Sequence, residues 1–90
     1  MITQAAPDQI RLYGTLGCHL CDDAEKIVSA VVAGFSLKLE KFDIIDDEII
    51  LAELADKIPV VELRQQRLNW PFSQAGLIDW IFNVCQKKTL

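Results

Sequence analysis

The sequence predicts an α/β domain: one four-stranded mixed sheet flanked by helices, in the order β-α-β-α-β-β-α. Three observations carry this reading. Short β-prone runs alternate with segments of helical periodicity. A strand–helix–strand start calls for a parallel pair with a right-handed crossover. A late pair of β-prone runs around a tight polar turn calls for an antiparallel hairpin, and one mixed sheet accommodates both demands. The chain has 90 residues, 51% of them hydrophobic and 24% charged, which suits one domain with a real core and leaves no room for a second. That domain is expected over residues 10–88, with residues 1–9 as a flexible N-terminal extension.

Taken in order, Ile10, Arg11, Leu12 and Tyr13 form a first strand closed by Gly14, and Thr15 to Gly17 form a loop. A helix follows, because Ala24, Ile27, Val28, Val31 and Val32 recur at helical spacing. Asp22, Asp23 and Glu25 suit the positive end of its dipole, and Gly34 is expected to cap its C-terminus. The alternation from Phe35 to Glu40 predicts strand two, ending or bulging near Lys41 and Phe42. Asp43, Asp46 and Asp47 are each able to cap a short helix over Glu48–Ala55, with Ile49, Leu51, Ala52 and Leu54 as its apolar set. Pro59 opens the run Val60–Leu63, Gln65 and Gln66 form the turn, and Arg67–Trp70 return, stopped by Pro71. Ser73 is placed to cap a last helix with Leu77, Ile78, Ile81, Phe82 and Cys85 on one face.

Charge narrows the function. Nine basic residues against 13 acidic give a net charge of −4, and no basic cluster offers a footprint for nucleic acid or an anionic membrane. No apolar run approaches the ~20 residues of a membrane span. The start of the chain lacks the basic and apolar blocks of a secretory signal, so the expected compartment is the reducing cytoplasm. Paired cysteines there are more often catalytic or metal-binding than structural.

The three cysteines are Cys18, Cys21 and Cys85. The first two form Cys-x-x-Cys between a strand and a helix. At a helix N-terminus, backbone N–H groups and the helix dipole favour an anionic sulfur, which lowers the thiol pKa below its usual value near ~8.5. Cysteines three apart on one helical face approach closely enough to bridge. Cys18 is therefore the expected nucleophile, and Cys21, flanked by Ala24 and Val28, the less exposed resolving thiol. His19 adds a modest electrostatic influence, opposed by the acids that follow it. Cys85 is expected as a small buried hydrophobe, and Trp70 and Trp80 as packing residues. Two other readings use the same residues. One is a redox-inactive or weakly active interaction module that docks a protein on the Cys-x-x-Cys edge. The other is a metal- or cluster-binding domain, which needs about four ligands where the chain offers three cysteines and His19. No metal ligands are assigned.

The stretch Leu12-Tyr13-Gly14-Thr15-Leu16-Gly17-Cys18-His19-Leu20-Cys21, the run Ile58-Pro59-Val60-Val61 placed 41 positions after Cys18, and the element order resemble the thioredoxin superfamily, and within it the short glutaredoxin-like proteins. Trp70-Pro71-Phe72 before the last helix is similar to the same group. The resemblance implies a thioredoxin-like, glutaredoxin-type fold and a cis Pro59 beside Cys18, where the Ile58 backbone pairs with an extended substrate. It also implies a thiol–disulfide oxidoreductase that exchanges disulfides with protein or glutathione-linked substrates. Cys18 and Cys21 are then catalytic, and Leu16, His19, Ile58, Pro59 and Val60 line the substrate groove. No tightly bound cofactor is implied. Glutathione or a reductase recycles the pair, and the domain acts as a monomer.

The chain departs from the superfamily pattern at several places. Gly17 stands where thioredoxins carry Trp, and Leu12 stands where they carry a buried Asp. The Gly-Gly of typical glutaredoxins is replaced by Trp70-Pro71-Phe72-Ser73-Gln74, and no lysine precedes Cys18. The family's glutathione-holding residues therefore have no positional counterpart. Ser73 and Gln74 still offer helix N–H groups to a carboxylate.

Overall fold

The computed structural model describes residues 9–86; residues 1–8 of the expected extension and 87–90 lie outside the described part, while Gln9, expected in the extension, opens the first strand, where it pairs with Lys38. Its elements are β1 (Gln9–Gly14), α1 (His19–Val32), β2 (Lys38–Asp43), α2 (Glu48–Leu54), β3 (Val60–Leu63), β4 (Gln66–Asn69) and α3 (Gln74–Gln86). The sheet order is β2-β1-β3-β4. β1 runs parallel to β2, from Gln9↔Lys38 to Gly14↔Asp43, and antiparallel to β3, with Tyr13 opposite Val60. This is the thioredoxin-like α/β architecture that the element order predicts.

Alternation along the two central strands builds two cores. Ile10, Leu12, Val61 and Leu63 point to one face, where Ala24, Val28, Val31 and Val32 of α1 and Leu77, Ile81 and Val84 of α3 close over them. Tyr13 and Val60 point to the other, where Ile44 and Leu54 cover them. That second face also carries a charged network. Arg11 pairs with Glu40 at 2.8 Å, the Tyr13 hydroxyl donates to Glu62, and Arg67 reaches Glu53 at 3.4 Å. Burial and the bond to Glu62 both push the Tyr13 pKa up.

Several expected boundaries move, each for a local reason. Gly34 does not cap α1. It sits inside a 3-10 turn over Ala33–Phe35, and Ser36 takes the left-handed conformation, φ 56°. Phe35 stays in that turn, edge-on to Phe82 at 5.3 Å between ring centroids. β2 therefore begins at Lys38 rather than Phe35 and runs unbroken through Lys41 and Phe42. It is an edge strand with half-exposed residues on both faces, so its alternation is weak. Asp47 is the cap of α2, accepting from the amides of Ile49 and Ile50 at 2.9 and 3.1 Å, while Asp43 caps the preceding 3-10 turn. That cap sets the helix phase so that Ile50, Leu51 and Leu54 face the sheet and Ile49, 77% exposed, does not. The hairpin turns at Arg64 and Gln65, one residue earlier than expected, with φ of 52° and 69°. Ser73 does cap α3, accepting from the Gly76 amide at 2.9 Å. The buried residues of α3 are Leu77, Ile81 and Val84. The phase leaves Phe82, expected on the apolar face, exposed, while Cys85 does pack against this core but is half-buried rather than buried.

Candidate functional site

The loop from Thr15 to Gly17 leaves β1 and delivers the chain to the start of α1. Gly17 takes φ 80°, a left-handed conformation that glycine adopts without strain, and so turns the chain into Cys18. Cys18 is extended and serves as the N-cap of α1. Its Sγ accepts a hydrogen bond from the Cys21 amide at 3.1 Å, and its carbonyl accepts from the Asp22 amide at 3.1 Å. The sulfur thus occupies the place a cap oxygen usually fills, facing amides that the helix leaves unpaired.

Cys18 and Cys21 are joined as a disulfide, with Cα atoms 5.2 Å apart. Cys21 is buried, 7% exposed, and Cys18 is half-exposed, the asymmetry expected of an attacking and a resolving thiol. Cys21 packs on the end of β1, where a Cβ at Gly14 would lie 3.0 Å from its Sγ. Gly14 therefore leaves room for the buried sulfur. The missing side chain at a strand end just before Cys-x-x-Cys is a signal that sequence reasoning passed over.

The expected groove residues divide. Leu16 is 88% exposed in the loop, and His19 is exposed at the first position of α1. Across the sheet, Tyr13 pairs with Val60, so Pro59 enters β3 beside the end of β1 where Gly14 meets Cys21. The Ile58–Pro59 and Trp70–Pro71 peptide bonds are cis. The side chains of Pro59 and Val60 are buried, and Ile58 is half-buried.

On the other side of β1, a groove of about 330 Å³ opens between α1 and the ends of β1 and β2, with Leu16, Gly17 and Cys21 in its wall. Glu25 and Lys41 line it as an ion pair at 3.1 Å. The sequence does not single them out together, because 16 positions separate them and only the packing of α1 against β2 brings them together. Asp22 and Asp43 complete its charged wall. Among the described residues, no three His, Cys, Asp or Glu side chains gather as a metal ion would require. No helix there is long and apolar enough to cross a membrane.

Comparison with known proteins bears on this geometry. Residues 9–82 match the family model described as glutaredoxin-like domain (DUF836). Among solved structures, target protein XcR50 from X. campestris is similar, at 28% identity and a TM-score of 0.73, covering 82% of this chain and 96% of that one. Thioredoxin 1 from Thermosipho africanus superposes with a TM-score of 0.66 at 19% identity, over 87% of this chain and 94% of its own, which speaks to the fold alone. No curated protein matches this chain.

Proposed function

Since the chain belongs to the glutaredoxin-like domain family, we propose that it is a thiol–disulfide oxidoreductase in which Cys18 attacks and Cys21 resolves. One observation carries this: the Cys18 sulfur caps α1 and accepts the Cys21 amide while bonded to the Cys21 sulfur. The amide and the helix dipole favour the thiolate of the reduced form, which is the nucleophile of disulfide exchange.

The reaction balances as two exchanges. In the reduced protein the Cys18 thiolate attacks one sulfur of a substrate disulfide. A mixed disulfide forms, and the second substrate sulfur leaves as a thiolate. The Cys21 thiolate then attacks the Cys18 sulfur and expels the first substrate thiolate. The substrate gains two electrons, and the protein ends as the Cys18–Cys21 disulfide of this structure. A thiol reductant, glutathione or the dithiol of a reductase, returns it to the reduced form. The burial of Cys21 suits a second step kept away from bulk thiols, and the exposure of Cys18 suits the first. The Ile58–Pro59 segment, which leads into β3 beside this end of β1, suits backbone pairing with the substrate. In this reading the domain works as a monomer in the reducing cytoplasm, with no tightly bound cofactor.

A disulfide-reduction assay with dithiol reductant in excess tests it. Cys18→Ser abolishes turnover. Reduced Cys21→Ser, mixed with the substrate disulfide after the reductant has been removed, retains the first step and accumulates a mixed disulfide on Cys18, visible as an intact-mass adduct. Wild-type turnover no faster than that of Cys18→Ser overturns the assignment.

A further inference from the structure

We propose that the groove beside Cys21 docks a lysine or arginine side chain of a protein substrate, one or two residues from the cysteine that Cys18 attacks. The domain then reduces protein disulfides with basic flanks in preference to glutathione-linked ones. This rests on the dithiol reading above and narrows it to a substrate class.

Position comes first. Gly17 and Cys21 both line the groove, so it begins within one residue of each end of the Cys18–His19–Leu20–Cys21 segment. A peptide whose cysteine meets Cys18 brings its neighbouring side chain to the groove mouth. The volume, about 330 Å³, is enough to accommodate a long side chain.

The walls select what enters. Leu12 contributes apolar surface at the base, and Leu16 stands 88% exposed at the mouth. Gly14 and Asp43 are the last register pair of β1 and β2, so the loop bearing Leu16 and the turn bearing Ile45, 60% exposed, leave the sheet side by side. Large apolar side chains left open beside a reactive sulfur offer cover to the methylene stem of a lysine or arginine. The head group then meets charge. Asp22, Glu25 and Asp43 face one cation, Lys41, which Glu25 already holds at 3.1 Å. The balance is two negative charges in a concave wall, where field lines concentrate. A cationic side chain is attracted there. Glutathione, with two carboxylates and one ammonium, is repelled, and no free Lys or Arg lines the groove to offset the repulsion.

The experiment uses the full chain, reduced, and follows its oxidation by acid quench and mass spectrometry. The oxidants are oxidised glutathione and three peptide disulfides identical except for Arg, Gln or Glu after the cysteine. The expected order is Arg, then Gln, then Glu. The Arg-to-Glu ratio should be about tenfold at low salt and shrink towards unity at 1 M salt, where the screening length falls to about 3 Å. Oxidised glutathione should react more slowly than the Gln peptide. Asp22→Asn should lower the ratio and the double variant Asp22→Asn, Glu25→Gln should collapse it, whereas Asp79→Asn, the same loss of one charge as Asp22→Asn but on α3 away from the groove, should leave it intact. That contrast separates the groove from the overall acidity of the chain. A reactive Gln peptide with equal rates for Arg and Glu overturns the docking assignment and leaves the dithiol reading standing. A ratio that Asp79→Asn lowers as much as Asp22→Asn does also overturns the docking assignment alone. Failure of every disulfide to oxidise the protein overturns both.

Discussion

Gly14 and Gly17 stand three residues apart before the helix, and each is glycine for a different reason. At Gly17 the backbone requires it: φ is 80°, and open space surrounds the absent side chain. At Gly14 the neighbour requires it, because an added Cβ would meet Sγ and Cβ of Cys21 at 3.0 and 3.1 Å. The same substitution should therefore fail in two distinguishable ways. In the reduced protein, Gly17→Ala is expected to cost about 1–2 kcal/mol from left-handed backbone alone. Gly14→Ala is expected to cost about 1–3 kcal/mol from overpacking. Urea unfolding of each, repeated in a Cys21→Ala background, separates the causes. The Gly14→Ala cost should shrink when Cys21 loses its sulfur, and the Gly17→Ala cost should not. Equal behaviour in the two backgrounds would mean that Gly14 is not where the sulfur is seated. The cysteines were legible because three-residue spacing at a helix start is a local property of the letters. The Glu25–Lys41 pair was illegible because it depends on how α1 packs against β2, which no local pattern encodes.

Among the elements, the hairpin β3–β4 carries the clearest mismatch between chain and conformation. Arg64 and Gln65 both hold positive φ, 52° and 69°, in a two-residue connection between paired strands. Asn and Gly are the residues that such turns favour. Relief of left-handed strain, about 1–2 kcal/mol per residue, is partly offset by the greater unfolded-state freedom of glycine, about 0.5–1 kcal/mol. The double variant Arg64→Asn, Gln65→Gly should accordingly gain about 1 kcal/mol, a rise of roughly 4–8 °C in Tm for a domain of this size. A lowered Tm in calorimetry would show that these two side chains contribute more than their backbone costs. The missing Asn-Gly is also why the sequence placed this turn one residue late. β2 was displaced by three residues for a related reason. Phe35 alternates in phase with Leu37 and Leu39 as a strand should, yet it is held in the 3-10 turn by its contact with Phe82 across the fold. The element order and the central strands were legible throughout, since their apolar runs are buried on both sides and leave little choice of register.

At the scale of the whole molecule the two faces of the sheet are unequally covered. α1 and α3, of 14 and 13 residues, form with one face a core of eleven buried side chains, while α2, of seven residues, helps form on the other a core of four. Within α2 only Leu54 is buried, and the helix is held at its start by the Asp47 cap and at its end by the Lys57 and Ile58 amides donating to the Leu54 carbonyl. A seven-residue helix has no independent stability, so it persists only through this packing. Local opening is expected where buried apolar contacts are few. Native-state hydrogen exchange should therefore find the Ile50–Leu54 amides opening at lower free energy than those of β1 and β3, and doing so without global unfolding. The opening matters because Ile58 and Pro59 follow α2 directly: an excursion of the helix loosens the segment proposed to pair with a substrate, while the α1 start that holds Cys18 stays anchored to the larger core. If α2 and β1 exchange with one common free energy, the domain is a single cooperative unit, and the mobility of the substrate edge cannot be separated from the stability of the cysteine pair.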